Sequence, residues 1–411
     1  MIFPTKKPSF SNAVGSRGPT MRVSAGGIPT KPLVNTAKPT SVEYAIIRNV
    51  ALEGGAEFLR PNSYQSKALR WLEQNSLVSS SGMQMIQRYT LACISFATTN
   101  ITHKHANPAP PKWRNATRWM TATDECTWHG VECDSNKQVV ALRLNNNGLS
   151  GSFPPEVKLL ASTLKRLDIG DNNVWNLNNQ VLFLGDLVNL EALKLGSSYF
   201  EYYGIPEVLG NLVKLKYLDI SYTLMFGPMR GQQVFGNLRN LVEISMGGNS
   251  YNESIPSEIP SLPKLANFYC EFTDIIGNLD FIVDMPSIFE IWMDDNPRLE
   301  GTIPKNIGTK STILQSISFS GCALTGSIPT ELGGLLFLQQ LWLGGNKLTG
   351  TIPTTLSGMQ YFYSFEIQDN DMSGSIPNGM CNGGDIPWED LCVDCTEITC
   401  CCCTCCKSSS C

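Results

Sequence analysis

The amino-acid sequence predicts an α/β solenoid: about ten short coils, each adding one strand to a parallel sheet, with a helical cap before them and a cysteine-rich tail after them. Two observations lead there. One phrase recurs ten times between Val139 and Pro377, and its clearest copy reads Leu338-x-x-Leu341-x-Leu343-x-x-Asn346-x-Leu348-x-Gly350-x-Ile352-Pro353. Within each copy two apolar residues stand two apart: Leu142 and Leu144, Leu167 and Ile169, Leu193 and Leu195, Leu218 and Ile220, and onward to Phe365 and Ile367. That period of two is the signature of a strand. A unit this short cannot bury its apolar face alone, so the copies must stack and the two ends must be covered.

The register can be followed on one polar column, at Asn147, Asn172, Ser198, Thr223, Asn249, Thr273, Asn296, Cys322, Asn346 and Asn370. Its steps of 25, 26, 25, 26, 24, 23, 26, 24 and 24 residues leave no coil skipped over 139–380. The phrase L-x-x-L-x-L-x-x-N-x-L resembles the leucine-rich repeat. The trailing G-x-I/F-P, intact at Gly151–Pro154, Gly301–Pro304, Gly326–Pro329, Gly350–Pro353 and Gly374–Pro377, resembles the plant-type subfamily of receptor-like and wall-enzyme-inhibitor proteins. The resemblance implies a right-handed solenoid with a concave parallel sheet. It also implies that the Asn amide sits inside a turn and satisfies backbone groups of adjacent coils. Ser, Thr and Cys are smaller substitutes, so the ladder is expected to be weaker from Ser198 to Thr223 and at Thr273 and Cys322. The G-x-I-P phrase is degraded in repeats two to four and in repeat six, which predicts an irregular middle on the convex side.

Residues 43–138 read as the N-terminal cap. Asn62 and Ser63 precede a helix whose Tyr64, Ala68, Leu69, Trp71 and Leu72 share a face, and Ser81 with Gln84 forms a capping-box pattern before a second helix carrying Met85, Ile86, Tyr89, Cys93 and Phe96. Arg88 and its short length exclude that helix as a membrane span. Trp119 and then Cys126-Thr-Trp128-His129-Gly130-Val131-Glu-Cys133 follow, and this C-x-W-x-G-V-x-C phrase resembles the plant-type cap. The resemblance implies a Cys126–Cys133 disulfide and Trp128 packed on the first coil. A zinc site is disfavoured because His129 is the one further ligand nearby and a tetrahedral site needs four.

Charge separates the chain into two parts. Residues 1–42 carry six Lys/Arg and no acid, leaving 25 basic against 36 acidic residues elsewhere, so nucleic acid is a poor partner for the folded part. The first 42 residues read as a disordered basic arm; a transit peptide or the cytoplasmic tail before a signal anchor is the alternative. There is no apolar signal core near Met1 and no 18-residue apolar span. A disulfide-type cap nonetheless calls for export, so the natural N-terminus is expected to extend beyond Met1 and supply a targeting segment.

Fifteen cysteines fall into groups. Beyond the cap pair, Cys270 and Cys322 lie two coils apart, about 10 Å at a strand spacing of about 4.8 Å and beyond bridging reach. With Cys93 they read as buried free thiols. The other ten occupy 381–411: Cys381, Cys392, Cys395, Cys400, Cys401, Cys402, Cys403, Cys405, Cys406 and Cys411. Three readings compete: a disulfide knot with all ten paired, a thiolate metal cluster, and a lipidated string beside Lys407 that would anchor the chain to a membrane. Asn100, Asn115 and Asn252 head N-glycosylation triplets.

A search for catalytic constellations returns none. No H-E-x-x-H, G-x-S-x-G, G-x-G-x-x-G, P-loop or kinase signature is present, and the Gly321–Gly326 spacing ends in Ser327 rather than Lys. The expectation is a non-catalytic recognition protein without metal or cofactor, receptor-like or secreted, at the cell surface or outside the cell. Its ligand would be a peptide, protein or glycan on the concave sheet. The alternatives are a cytosolic adaptor anchored through a lipidated tail and an inhibitor of wall-degrading hydrolases. Side chains alternate along a strand, so the residue between the paired apolar positions points onto that face: Arg143, Asp168, Lys194, Asp219, Ser245, Tyr269, Trp292, Ser318, Trp342 and Glu366. Flanking positions add Tyr217, Tyr222, Glu271, Phe272, Glu290, Asp294 and Asp295, giving an aromatic patch with an acidic border.

Overall fold

The strand signal in each repeat becomes one three-residue strand, and these strands build the long sheet that organises the molecule. The computed structural model describes residues 41–75, 81–99, 113–175, 180–200, 202–382 and 388–406. The arm expected over 1–42 lies outside them as far as Thr40. The main sheet has 13 strands in chain order. Strand β1, Val131–Cys133, runs antiparallel to β2, Val139–Arg143, and every later pairing is parallel, one strand per coil, through Ser364–Glu366 of the tenth. Two strands from the tail, Asp390–Val393 and Cys405–Cys406, continue the sheet and cover its last edge. This is a leucine-rich repeat solenoid.

The paired apolar residues point inward and form one continuous core: Leu142, Leu167, Leu193, Ile244, Phe268, Ile291 and Phe365 are fully buried. Each such side chain contributes roughly 1.5–3 kcal/mol by leaving water. The polar column works as the resemblance implies. Asn172 donates from Nδ2 to the carbonyls of Leu144, Ile169 and Gly170, each at 2.9 Å, while its Oδ1 accepts from Asn147 N and Leu149 N at 3.0 Å. At substituted positions the reach shrinks. Ser198 Oγ donates to Ile169 O alone, at 3.3 Å, and Cys322 Sγ donates to Met293 O at 3.3 Å and, more weakly, to Ser320 O. Thr223 and Thr273 are partly rescued by the following coil, whose Asn249 and Asn296 accept from their backbone amides. No such partner follows Ser198, because Thr223 itself is a substitute, and the ladder is thinnest there.

A second, narrower sheet runs along the flank. It is split in two: Ser150–Ser152 pairs with Asn173–Trp175, and farther on Ile276–Gly277, Arg298–Gly301, Ala323–Gly326, Lys347–Gly350 and Asp371–Met372 form a separate five-stranded sheet. Between them only isolated bridges remain, Trp175 with Tyr199, Tyr203 with Phe226 and Phe226 with Ser250. The irregular stretch therefore covers coils three to five. Coil six pairs despite its degraded phrase, because it keeps Ile276-Gly277 with the glycine at φ +104°.

Three helices precede the coils: α1, Val42–Val50; α2, Tyr64–Asn75; and α3, Gly82–Thr98. The capping box is present, with Ser81 Oγ accepting from Gln84 N and Gln84 Oε1 accepting from Ser81 N. Helix α1, which the sequence pattern did not identify within the cap, is capped by Ser41 and packs Ile47 against α2 and α3. Arg88 is fully buried. It pairs with Glu125 at 3.0 Å, donates to the carbonyls of Thr123 and Thr121, and lies 5.3 and 5.4 Å from the rings of Trp71 and Trp128. Cys126 and Cys133 are bonded, with Cα atoms 5.5 Å apart. Gly130 between them holds φ +76°, and a Cβ there would meet Arg143 O at 2.2 Å.

In the tail Cys381 is joined to Cys402, Cys392 to Cys405 and Cys400 to Cys403. The full pairing of ten cysteines is not what forms. Cys401 is an exposed free thiol: among the described residues its Sγ reaches only Cys381 Sγ, at 3.8 Å, and that atom is already bonded to Cys402. Cys411 lies outside the described residues. Cys93, Cys270 and Cys322 are free and buried, and burial raises their thiols, Cys270 and Cys322 to about 12, so they act as small apolar groups.

Candidate functional site on the concave sheet

The side chains between the inward-facing pairs emerge on the open face of the main sheet. Coils one to three are mixed in charge, with Arg143 paired to Glu132 across β1 and β2, and Lys194 Nζ 3.7 Å from Glu243 Oε1. From coil four the face turns acidic and aromatic. Asp219 accepts from Ser221 N at 3.0 Å and Ser221 Oγ at 2.6 Å, beside half-buried Tyr217. Glu366, at the far end, accepts from Gln368 Nε2 at 3.2 Å.

The centre is an aromatic row. Tyr269 and Trp292 meet edge to face with centroids 5.1 Å apart. Trp292 and Trp342 belong to coils seven and nine, yet their centroids are 5.9 Å apart. The residue between them is Ser318, fully buried and too small to hold the rings apart. Each polar tip is satisfied from the sheet: Tyr269 Oη donates to Glu290 Oε2 at 2.5 Å, Trp292 Nε1 to Ser316 Oγ at 2.9 Å, and Trp342 Nε1 to Ser364 Oγ at 2.8 Å. The rings are therefore half-buried, oriented and continuous.

One expected contact residue is placed differently. Asp294 is buried rather than solvated, because its Oδ1 accepts from Ser318 Oγ at 2.5 Å and Ser320 N at 2.7 Å; it braces the sheet under the tryptophans. Its neighbour Asp295 is exposed. Tyr222 and Phe272 project at the rim, 41% and 49% exposed, and both hold left-handed backbones, φ 52° and 55°. That conformation recurs at Asn146, Asp171, Ser197, Gly248 and Asp295, just before the polar column, because each coil enters its Asn turn through it. Bulky aromatics are rare there. Burial, opposed by a hydrogen bond from its own backbone and reinforced by Asp294 and Asp219, raises the Glu271 carboxyl to about 7.

Other expected sites are scattered. Asn115 lies in the cap, with Nδ2 3.2 Å from His129 Nδ1 and Oδ1 accepting from Thr117. Asn252 is exposed on a loop and its Oδ1 accepts from Arg298. Asn100 lies outside the described residues. Asp390, Cys392 and Cys405 converge at ligand distance, but the two sulfurs are bonded to each other and offer no thiolates. One feature escaped the sequence reading: Tyr199, Tyr203, Leu224 and Phe226 stand exposed where the flank sheet breaks. The lost G-x-I-P phrases were its signal.

Comparison with known proteins agrees with this architecture. The family model described as Leucine Rich Repeat matches residues 314–335 and 337–359. Receptor-like protein 6 of Arabidopsis thaliana is 26% identical over 234 residues, 54% of this chain and 23% of its own length. The solved plant peptide hormone receptor RGFR1 in complex with RGF2 is 27% identical with a TM-score of 0.55, covering 67% of this chain and 48% of that one. A plant ice-binding protein aligns with a TM-score of 0.59 at 23% identity over 70% of this chain and 87% of its own, a likeness of fold alone. The chain spans about a quarter of the length of the curated relatives it matches. The repeats and these similarities relate it to plant receptor-like proteins carrying leucine-rich repeats.

Proposed function

We propose that the chain is a non-catalytic, receptor-like recognition module that binds an extended peptide or a peptide segment of a protein across the concave sheet. The observation that carries this is the aromatic row Tyr269–Trp292–Trp342, continuous and oriented on an open face. Aromatic anchors of this kind dominate interface energetics, and the similarity to a peptide hormone receptor supports a peptide over a glycan. An oxidising, extracellular setting is supported by the disulfide-bonded Cys126, Cys133, Cys381, Cys392, Cys395, Cys400, Cys402, Cys403 and Cys405. Those bonds disfavour a lipidated cytosolic tail, which needs free thiols. No helix among the described residues is long and apolar enough to cross a membrane.

The test uses a capped peptide, Gly-Phe-Ser-Lys-Ser-Phe-Gly, which when extended presents phenylalanine, lysine and phenylalanine on one side. Titration should move the indole N–H signals of Trp292 and Trp342. Replacing both tryptophans by alanine should weaken binding by more than about 2 kcal/mol. The double variant will melt lower than the parent, since each ring also bonds a serine, so retained circular dichroism must confirm its fold. Binding that leaves both indole signals still, or that survives the double substitution, rejects the concave site. Response of the indoles to a β-linked oligosaccharide but not to the peptide would reassign the ligand class.

A further inference from the structure

Resting on that reading, we propose that a notch between Tyr222 and Glu271, floored by Gly247 and Gly248, takes one organic cation of the bound peptide, a lysine or arginine side chain. Three consecutive coils build it. Tyr222 comes from coil four, the glycine pair from coil five, and Glu271 with Phe272 from coil six. A Cβ on Gly247 would come within 2.8 Å of the Glu271 carboxyl carbon, and one on Gly248 would lie 2.2 Å from the Tyr222 ring. The two side chains therefore lean over the glycine pair from opposite neighbours, setting a carboxylate beside an aromatic ring.

The charge around the notch is unbalanced. Glu271 Oε2 is buried without a hydrogen-bond partner, and Glu271 belongs to no ion pair among the described residues. The groups that bear on it are Asp219, Asp294, Tyr222, Tyr269 and Cys270, and Asp295 bears on Tyr222; none is basic. Lys194 and Arg143, on the same face, are turned to Glu243 and Glu132. A buried carboxylate held near half-ionisation is completed by a cation, and an ammonium or guanidinium also gains from a tyrosine face. Because Oε2 lies below the surface, a rim side chain must turn to admit the ligand. Tyr222 is the candidate: it is partly exposed, and its hydroxyl makes no described hydrogen bond.

The experiment compares the lysine peptide above with the same peptide carrying ε-acetyl-lysine, on the parent and on Glu271→Gln, by calorimetry with the two indole signals as site markers. In the parent the lysine peptide should bind about tenfold tighter, and its advantage should grow from about pH 6 to about pH 8 as the Glu271 carboxyl loses its proton. In Glu271→Gln the ratio should fall to about one and become independent of pH, while both peptides still move the indoles. A lysine advantage that survives the substitution overturns the proposal, as does no advantage in the parent or no binding of either peptide at millimolar concentration. Failure of the concave reading looks different: the peptides bind but the indoles do not respond.

Discussion

Replacing Asn249 by threonine asks how much one rung of the polar ladder is worth, and the array supplies its own reference because threonine already stands at positions 223 and 273. Asn249 is 4% exposed. Its Nδ2 donates to Ile220 O at 2.8 Å and Met246 O at 3.0 Å, and its Oδ1 accepts from Met225 N at 3.0 Å and Thr223 N at 3.2 Å. A threonine hydroxyl can keep the bond to the carbonyl three residues back, as Thr223 does with Ile220 at 2.8 Å. It cannot reach the preceding coil. Two backbone amides, Met225 N and Thr223 N, then lose their partner at one buried seam, while Ile220 O keeps the Thr223 hydroxyl. At about 1–3 kcal/mol for each orphaned group, less what water recovers, the substitution should cost about 2–5 kcal/mol. It would also leave Ser198, Thr223, residue 249 and Thr273 as four successive substitutes. Urea unfolding followed by circular dichroism gives the magnitude. Hydrogen exchange gives the place, with the amides of Thr223 and Met225 losing protection before those of coils eight to ten. A loss within about 0.5 kcal/mol of zero, or protection lost uniformly along the array, would refute the account of Asn249 as an inter-coil clamp.

Three further outcomes are expected. Arg88→Met leaves Glu125 buried without its cation and should cost about 3–5 kcal/mol, whereas adding Glu125→Met should recover part of that; thermal melts of the single and double variants decide it. Cys126→Ser should cost about 2–5 kcal/mol and fray the first coil, seen as faster exchange of the β1 and β2 amides; a melt equal to the parent without reductant would mean the bond is absent. Among the described cysteines, non-reducing alkylation should label Cys401 under native conditions and Cys93, Cys270 and Cys322 only after unfolding, as mass spectrometry of the digests will show.

What could be read in the sequence was what repetition or short range makes visible. The coil register follows from a recurring phrase, the Ser81–Gln84 box from a spacing of three, and the Cys126–Cys133 pair from a familiar phrase. What could not be read depends on partners distant in the chain. Arg88 looked like a charge that bars a membrane span, and its burial becomes intelligible only with Glu125, 37 residues on, and the rings of Trp71 and Trp128. The contact of Trp292 with Trp342 needs coil stacking and a serine at position 318. Asp294 resembled a solvated acid beside Asp295 until the next coil's Ser318 and Ser320 closed on it. An even cysteine count could not reveal Cys401, because connectivity depends on where the strands at 390–393 and 405–406 dock.

The departures from regularity and the candidate site lie close together for a physical reason. In a regular coil nearly every position is committed: two residues to the core, one to the Asn turn, one glycine to the flank sheet. Coils nine and ten keep that grammar, and coils eight to ten share a continuous flank sheet from Ala323 to Met372. In coils three to five the flank reduces to single bridges and Tyr199, Tyr203 and Phe226 reach the surface, and serine or threonine replaces asparagine in coils three, four and six. At the edge of that stretch, Gly247 and Gly248 leave the space that Tyr222 and Glu271 fill. The intact rungs at Asn249 and Asn296 support Thr223 and Thr273 by accepting the amides these substitutes leave over, whereas Ser198 has no such support. The stricter repeats thus flank a short run of coils whose side chains are released from the repeat, and the proposed notch lies at the end of that run.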